Sequence, residues 1–172
     1  NISFSNVRLE VQTMGQYSVA QICLNGHVIT SDISFSDFME KFCSHCGAYT
    51  ITKCPHCNAY IRGDYHEEFL INTFAYKAPA YCFNCGHPFP WTVAAISAAT
   101  ELVDEIEGLD DSEREKFKSG ITDITNDNPH AKVSANRITN YLKKATPAVQ
   151  EAFKTIMYDV AAEVTKRLIW PI

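Results

Sequence analysis

The sequence predicts an α+β protein in which two tandem zinc ribbons, built from short antiparallel β-hairpins, precede an α-helical C-terminal region of three or four helices. All seven cysteines lie before residue 92. The segments around them are short, rich in β-branched and aromatic residues, and bounded by Gly, Asn or Pro, which is typical of strands and turns. After residue 92 cysteine is absent, glycine is rare and apolar residues recur at helical spacing.

The same changes in composition divide the chain into three parts. Residues 1–13 precede Met14 and carry no recognisable chemistry, so they are interpreted as an upstream extension or a cloning remnant. Residues 14–91 contain every cysteine and most of the aromatic residues, and they are expected to form the double zinc-ribbon domain. Residues 92–172 are expected to form a helical domain.

Five short segments of the ribbon domain have the composition of strands. They are residues 19–24, 28–31, 49–52, 69–75 and 80–83. Because these segments lie between the paired metal ligands described below, they favour β-hairpins that are each clamped by one metal ion.

In the helical domain, Thr92 is predicted to cap a first helix that runs to about residue 107. Leu109, Ser112 and Glu115 are interpreted as a staple residue followed by a capping box. This pattern begins a second, shorter helix whose inward-facing residues are Phe117, Ile121 and Ile124.

Two further helices are predicted beyond a turn at residues 126–129. Ser134 is predicted to cap the third. Thr146, followed by Pro147 at the first helical position, is a typical start for the last helix. This helix is expected to run to about residue 169 and to bury an apolar stripe of Val149, Phe153, Ile156, Val160, Val164 and Leu168.

A paired-ligand unit occurs four times in the ribbon domain, as Cys23/His27, Cys43/Cys46, Cys54/Cys57 and Cys82/Cys85. Zn²⁺ takes four soft or borderline ligands at tetrahedral angles, and two residues between cysteines allow a tight knuckle to place both sulfurs on one metal. Such a knuckle often needs a left-handed residue directly after the second cysteine. The residues there are Gly47, Asn58 and Gly86, which tolerate positive φ best, and Asn25-Gly26 serves the same purpose before His27.

Three pairings of these half-sites are possible. The favoured sequential scheme gives one site of Cys23, His27, Cys43 and Cys46 and a second site of Cys54, Cys57, Cys82 and Cys85. A cross-brace scheme would join the first half-site with the third and the second with the fourth, as in RING-type domains. A nested scheme would place the two middle half-sites on one metal.

Other interpretations of the ligand residues stay open. The cysteines could form a buried or redox-active set without metal, or hold an iron–sulfur cluster, although the Cys23-x3-His27 spacing suits zinc better. Three further histidines are interpreted as exposed bystanders, with the alternative that one of them replaces His27: His45, His56 and His87. His66 and His130 are interpreted as ordinary surface residues.

Three runs, AQICLNGHVIT (residues 20–30), FCSHCGAYTITKCPHC (residues 42–57) and YCFNCGHPFPWT (residues 81–92), resemble a family of uncharacterised bacterial proteins, a conserved domain of unknown function expected to carry zinc ribbons. The resemblance covers residues 17–92. It implies the same eight ligands and two structural zinc ions, and it brings no reaction with it. The helical tail resembles segments appended to several bacterial proteins of unclear role.

The charge of the chain bears on its partners. The formal net charge is −5, and residues 14–91 contain four basic residues against six acidic ones. Seven thiolates add seven negative charges and two Zn²⁺ ions add four positive ones, which brings the total to about −8. Such a field repels phosphate backbones, so nucleic-acid binding is a less favoured alternative. No segment is apolar enough to span a bilayer and no signal peptide is recognisable, so a cytoplasmic protein is expected.

The leading functional hypothesis is a protein–protein interaction module. Metal-stapled ribbons would present rigid loops, and the helical tail would bind a protein partner or a second copy. The candidate aromatic anchors are the Phe89-Pro90-Trp91 junction, Tyr60, Tyr65, Phe74 and Tyr76. For Phe89 and Trp91, filling a small core is the favoured interpretation.

Enzymatic activity is not expected. Eight ligands fill two metal ions completely, whereas a catalytic zinc needs an open coordination position. The sequence contains no Gly-rich phosphate loop, His-Glu-x-x-His motif or nucleophile elbow. A cross-braced, RING-like ligase scaffold is a further alternative, and the pairing of the half-sites decides it.

Overall fold

The α+β class is confirmed by a computed structural model, which describes residues 15–34, 36–67 and 75–170. Short antiparallel strands occupy the N-terminal half and helices the C-terminal half. Residues 1–13, and the predicted strand at 69–75 apart from its last residue, lie outside the described residues.

The described strands form two small sheets. Strand β1 (Gln16–Val19) pairs antiparallel with β5 (Arg62–His66). Strand β2 (Gln21–Cys23) is the centre of a three-stranded sheet, with β3 (Val28–Thr30) on one side and β4 (Thr50–Ile51) on the other. Strand β2 is fully buried and ends at Cys23, so the sheet delivers a predicted metal ligand directly from its central strand.

Three predicted strands match β2, β3 and β4, whereas β1 was not predicted apart from Val19. Two further differences stand out. Residues 80–83 form no strand and make only an isolated bridge between Tyr81 and Pro88. Strand β5 was not predicted, because its sequence RGDYH has low strand propensity. Gly63 explains why it forms here: a Cβ at this position would lie 1.8 Å from the carbonyl oxygen of Ser31, so only glycine permits the close approach.

The described C-terminal half contains five helices, one more than the upper limit predicted. They are α1 (Pro90–Asp104), α2 (Asp111–Asn126), α3 (Ala131–Leu142), α4 (Pro147–Met157) and α5 (Glu163–Ile169).

The additional helix arises because the predicted last helix breaks between residues 158 and 162. There the backbone N–H of Ala162 donates to the carbonyl of Ile124 at 3.0 Å. The hydroxyl of the fully buried Thr165 donates to the carbonyl of Ala162 at 2.7 Å. The chain therefore turns back onto the end of α2, and the predicted apolar stripe does not continue. Val164 and Leu168 are 46% and 40% exposed.

The helix starts also differ from prediction at three places. Phe89 occupies the N-cap position of α1 without a side-chain hydrogen bond, and Pro90 is the first residue of the helix. Thr92 is buried and donates its hydroxyl to the carbonyl of Ala80 at 2.8 Å. Ser134 lies inside α3, where its hydroxyl donates to Asp123 Oδ2 at 2.6 Å.

The third difference is at α2. Its capping box is formed by Asp110 and Glu113, whose side chains each accept a hydrogen bond from the backbone N–H of the other residue. The predicted cap, Ser112, is the second residue of the helix. The start of α4 is as predicted, because the side chain of Thr146 accepts from the N–H of Val149.

Two apolar clusters lie in the described part of the chain. The larger is formed by residues of the five helices and their connections, from Ala99 to Ile169. The smaller lies between the strands and the start of α1, and consists of Ala20, Ile22, Cys54, Ile61, Cys82, Phe89 and Trp91. Phe89 and Trp91 stack with ring centroids 4.7 Å apart. Helix α1 therefore begins in the smaller cluster and ends in the larger one.

None of the described helices combines the length and the apolar character needed to cross a membrane.

Candidate metal centres

The first candidate centre brings together Cys23, His27, Cys43 and Cys46, and all four potential ligand atoms lie within 4.8 Å of one another. His27 Nδ1 is 3.4 Å from Cys23 Sγ, 3.3 Å from Cys46 Sγ and 3.8 Å from Cys43 Sγ. Cys23 comes from the end of β2, His27 from the turn before β3, and the other two cysteines from the knuckle before β4.

The second candidate centre brings together Cys54, Cys57, Cys82 and Cys85, again with every sulfur within 4.8 Å of the others. Cys54 Sγ lies 3.9 Å from Cys85 Sγ, and Cys57 Sγ lies 3.6 Å from Cys82 Sγ. Two knuckles form this centre. In each, an isolated antiparallel bridge joins the residues that flank the loop: Lys53 with Tyr60, and Tyr81 with Pro88.

These distances fit a tetrahedral metal ion. With metal–sulfur bonds of about 2.3 Å and metal–nitrogen bonds of about 2.0 Å, tetrahedral angles place two sulfurs about 3.8 Å apart and a sulfur and a nitrogen about 3.6 Å apart. A disulfide would instead need sulfurs about 2.05 Å apart, and all seven cysteines are free. Each group can hold one metal ion, and each uses all four of its ligand residues.

The grouping is sequential: the first half-site joins the second, and the third joins the fourth. The cross-brace grouping that a RING-like scaffold requires does not occur. The nested grouping does not occur either, because Cys43 and Cys54 belong to different centres.

The backbone of the three Cys-x-x-Cys knuckles has one conformation. In each, the residue after the second cysteine has positive φ and donates its N–H to the carbonyl of the first cysteine: Gly47 (73°), Asn58 (59°) and Gly86 (72°). Gly26, with φ of 89°, lies before the second ligand His27 and donates its N–H to the carbonyl of Cys23, three residues earlier. The turn residues identified in the sequence therefore have the backbone geometry predicted for them.

Amide side chains also contact the sulfurs, and these contacts were not predicted from the sequence. Asn25 Nδ2 lies 3.5 Å from Cys46 Sγ, and Asn84 Nδ2 lies 3.6 Å from Cys57 Sγ. Each asparagine lies two residues after the first ligand of its half-site. Its amide donates to the second cysteine of the partner half-site. That shared position, in Cys-Leu-Asn-Gly-His and Cys-Phe-Asn-Cys, is the signal that could have found them.

The backbone also favours one ionised thiol in each centre. A hydrogen bond from the backbone of Ala48 lowers the pKa of the Cys46 thiol to about 6, and one from Ala59 lowers the pKa of Cys57 to about 6. Burial raises the pKa of the Cys23 thiol. Since the thiolate is the form that binds metals, Cys46 and Cys57 are the sulfurs most ready to accept an ion.

The remaining histidines stay outside the two groups of four. The ring of His45 contacts that of His27 edge-on, with centroids 4.5 Å apart, but His45 does not replace it. His66 and His130 are exposed, and His66 Nε2 lies 3.3 Å from Asp32 Oδ2. His56 and His87 are also exposed, and they form a third group together with Cys85.

The fold and these clusters define a small α+β protein with two four-residue candidate metal centres on paired turns. The chain belongs to the DUF2321 family of uncharacterized proteins conserved in bacteria, whose model matches residues 16–169. The match extends beyond the cysteine motifs through all five helices, so the helical region is part of what the family shares. No curated protein and no solved structure matches the chain.

Proposed function

We propose that this protein is a non-catalytic protein-interaction module whose two metal centres hold structural zinc ions. The observation that carries the proposal is a group of exposed aromatic rings around Arg62, one of which, Phe83, lies in a knuckle of the second metal centre. We further propose that the protein works in the cytoplasm, where reduced cysteines stay available for metal.

Zinc is the metal that the ligands favour. One centre offers three sulfurs and an imidazole nitrogen and the other offers four sulfurs, and both sets are typical of structural zinc sites. With all four positions taken by protein ligands, the metal has no vacant position for substrate. Its contribution when bound is to cross-link the turns and to neutralise thiolate charge.

The aromatic surface, which we call the aromatic face, consists of Tyr17, Tyr60, Arg62, Tyr65 and Phe83. Arg62 lies between two rings, 3.8 Å from the centroid of Phe83 and 4.7 Å from that of Tyr17. The Tyr17 ring lies 5.0 Å from the Tyr65 ring. Tyr60 and Arg62 flank the buried Ile61. Because side chains alternate along extended backbone, both point to the exposed side of the chain.

These contacts favour recognition of a partner. Aromatic and arginine side chains dominate the energetics of protein interfaces, and they lose little entropy on binding when neighbours already hold them in place. Tyr17 and Phe83 are 52% and 54% exposed, so their rings are accessible. Phe83 lies inside a knuckle of the second centre, which links the face directly to the metal.

The other aromatic anchors proposed from the sequence differ in suitability. Phe89 and Trp91 are buried in the smaller cluster and stack on each other, so they support the core. Tyr76 is partly buried and donates its hydroxyl to the carbonyl of Arg62 at 2.5 Å. It therefore supports the backbone of the aromatic face and is not part of its exposed surface. Phe74 lies outside the described residues.

The test compares partners captured from a bacterial lysate by three metal-loaded proteins. They are the wild type, a variant of the face (Tyr17→Ser, Tyr60→Ser, Phe83→Ser), and a control variant of another exposed aromatic pair (Phe42→Ser, Tyr49→Ser). We expect the same protein, or a second copy of this chain, to be captured by the wild type and the control and lost by the face variant. Equal capture by all three would contradict the proposal.

A gel-shift assay at low salt tests the alternative hypothesis that the protein binds nucleic acid. Exposed rings with adjacent cations can also stack on bases, but the net charge of −5 opposes binding to phosphates. We expect no shift with single-stranded DNA or RNA. If the wild type shifts the nucleic acid and the face variant does not, the partner of the aromatic face is a nucleic acid and not a protein.

A further inference from the structure

A third group of metal-binding side chains lies beside the second centre and is not needed to complete it. His56 projects from one knuckle of that centre, and His87 follows the other. The two exposed rings are stacked, with centroids 3.4 Å apart and planes inclined by 17°. Their ligand nitrogens and Cys85 Sγ all lie within 4.8 Å of one another.

We propose that His56, His87 and the thiolate of Cys85 form a third, labile site for a divalent transition-metal ion. Cys85 would bridge this ion and the metal of the second centre. Two imidazoles and a thiolate suit ions of borderline softness, such as zinc and nickel. Because a nitrogen lone pair lies in the plane of its ring, the two exposed rings must turn out of their stack to bind one ion together. The site goes beyond the proposed interaction role, because it would bind an exchangeable ion at the surface.

One hydrogen bond prepares His87 for this role. His87 Nδ1 lies 3.3 Å from the carbonyl oxygen of Cys85. A carbonyl oxygen can only accept, so in the neutral ring this bond places the proton on Nδ1 and the lone pair on Nε2. A histidine that binds metal usually donates its other ring N–H to a carbonyl or carboxylate in this way, which fixes the tautomer and the ring orientation.

The surroundings of the pair also favour a cation. Four thiolates around one Zn²⁺ leave the second centre with a charge of about −2, which attracts a further positive ion. The groove beside the histidines has a volume of about 600 Å³, and the described residues that line it include no lysine or arginine. Its walls are mainly apolar, with Pro55, Pro88 and Val93 among them, so no cation of the described groove residues competes with a bound ion.

The first centre provides a contrast within the same chain. There His27 Nδ1 already faces the sulfurs, and His45 meets its ring edge-on instead of stacking on it. Among the described residues, no further group of potential ligands forms at the first centre, and His45, which precedes the second cysteine of its knuckle as His56 does, is a matched control for His56.

The experiment uses the full chain loaded with zinc, dialysed until two zinc ions per chain remain, and then titrated with Ni²⁺ by calorimetry, with zinc release followed by a colorimetric chelator. The wild type is compared with His56→Ala, His87→Ala and the control His45→Ala. We expect one additional Ni²⁺ to bind while zinc is retained, with a nickel–thiolate charge-transfer band in the near ultraviolet. Each of the two substitutions should weaken this binding about tenfold or more, since even second-shell changes cost that much, and His45→Ala should leave it unchanged.

Three results would overturn the third site. They are no Ni²⁺ bound beyond the zinc, zinc released in proportion to the nickel taken up, or nickel affinity that neither His56→Ala nor His87→Ala alters. Far-UV circular dichroism equal to wild type shows that the variants are folded. Loss of zinc before nickel is added would instead contradict the proposed structural zinc.

Discussion

At the scale of single residues, His27 is the candidate ligand whose role is easiest to separate from folding. It is partly exposed, and its Nδ1 contacts three sulfurs at 3.3–3.8 Å. We expect His27→Ala to lower the zinc bound after dialysis from two ions to one per chain, because three ligands hold the ion less tightly than four. Elemental analysis of the purified protein measures this.

His45→Ala is the control for that experiment. Its ring touches His27 but belongs to neither group of four, so both zinc ions should remain. If His27→Ala also kept two ions after dialysis, His27 would not be a required ligand.

Alanine substitutions at Gly26 and Gly47 distinguish the free-energy cost of a left-handed backbone from the cost of a steric clash. Gly26 and Gly47 both have positive φ, but a Cβ on Gly26 would lie 3.0 Å from Trp91 Cβ, whereas a Cβ on Gly47 would meet nothing within 4 Å. Gly47→Ala should lower the free energy of unfolding by about 1–2 kcal/mol, the usual cost of a left-handed alanine. Gly26→Ala should lower it further, because Trp91 is buried and its Cβ cannot move without the start of α1.

Urea unfolding of the metal-loaded proteins, followed by fluorescence, measures both values. Equal losses for the two substitutions would show that Trp91 and the first turn of α1 adjust without cost.

At the scale of elements, the start of α2 offers a direct comparison between two possible caps. Asp110 and Ser112 are each followed three residues later by glutamate, but only the box of Asp110 and Glu113 forms. Asp110→Ala should destabilise the protein by about 1 kcal/mol, because an N–H at the helix start loses its acceptor. Ser112→Ala should cause no loss, since Ser112 is exposed within the first turn. Thermal unfolding of both variants tests this, and the reverse order of stabilities would contradict it.

The same helix shows where sequence reasoning succeeds and fails. The inward residues Phe117, Ile121 and Ile124 are buried as their spacing predicts. The cap was misplaced although Leu109 directly precedes Asp110, which is where a staple residue belongs. Local patterns therefore identify a helix and its buried side more reliably than they identify its first residue.

Other differences depend on contacts between residues far apart in sequence. Strand β5 forms because Gly63 lets the chain approach Ser31, and α4 ends because the chain after it bonds to the carbonyl of Ile124. Neither contact leaves a local pattern. The candidate metal residues were different, because ligand spacing and turn residues are local signals, and the structure brings all eight together in the sequential grouping.

At the scale of the whole molecule, the two apolar clusters differ in size. Among the described residues the helical cluster has sixteen buried members, whereas the smaller one has seven, two of which are the metal-centre residues Cys54 and Cys82. Short strands with so little apolar core need further cross-links to stay folded. The N-terminal half should therefore depend on metal, and the helical half should not.

The two tryptophans allow each half to be followed separately. Trp91 is buried in the smaller cluster, where its indole N–H donates to the carbonyl of Pro79 at 2.9 Å, and Trp170 packs on Phe153 in the helical half. In a Trp170→Phe protein, chelation of the metal should shift Trp91 emission to the red, because the ring becomes exposed to water. In a Trp91→Phe protein, Trp170 emission and the helical dichroism should change little.

Cys54→Ser should reproduce the effect of the chelator, because it removes one ligand of the second centre and leaves the helices intact. An N-terminal half that still resists proteolysis after its metal is removed would show that the strands fold without it.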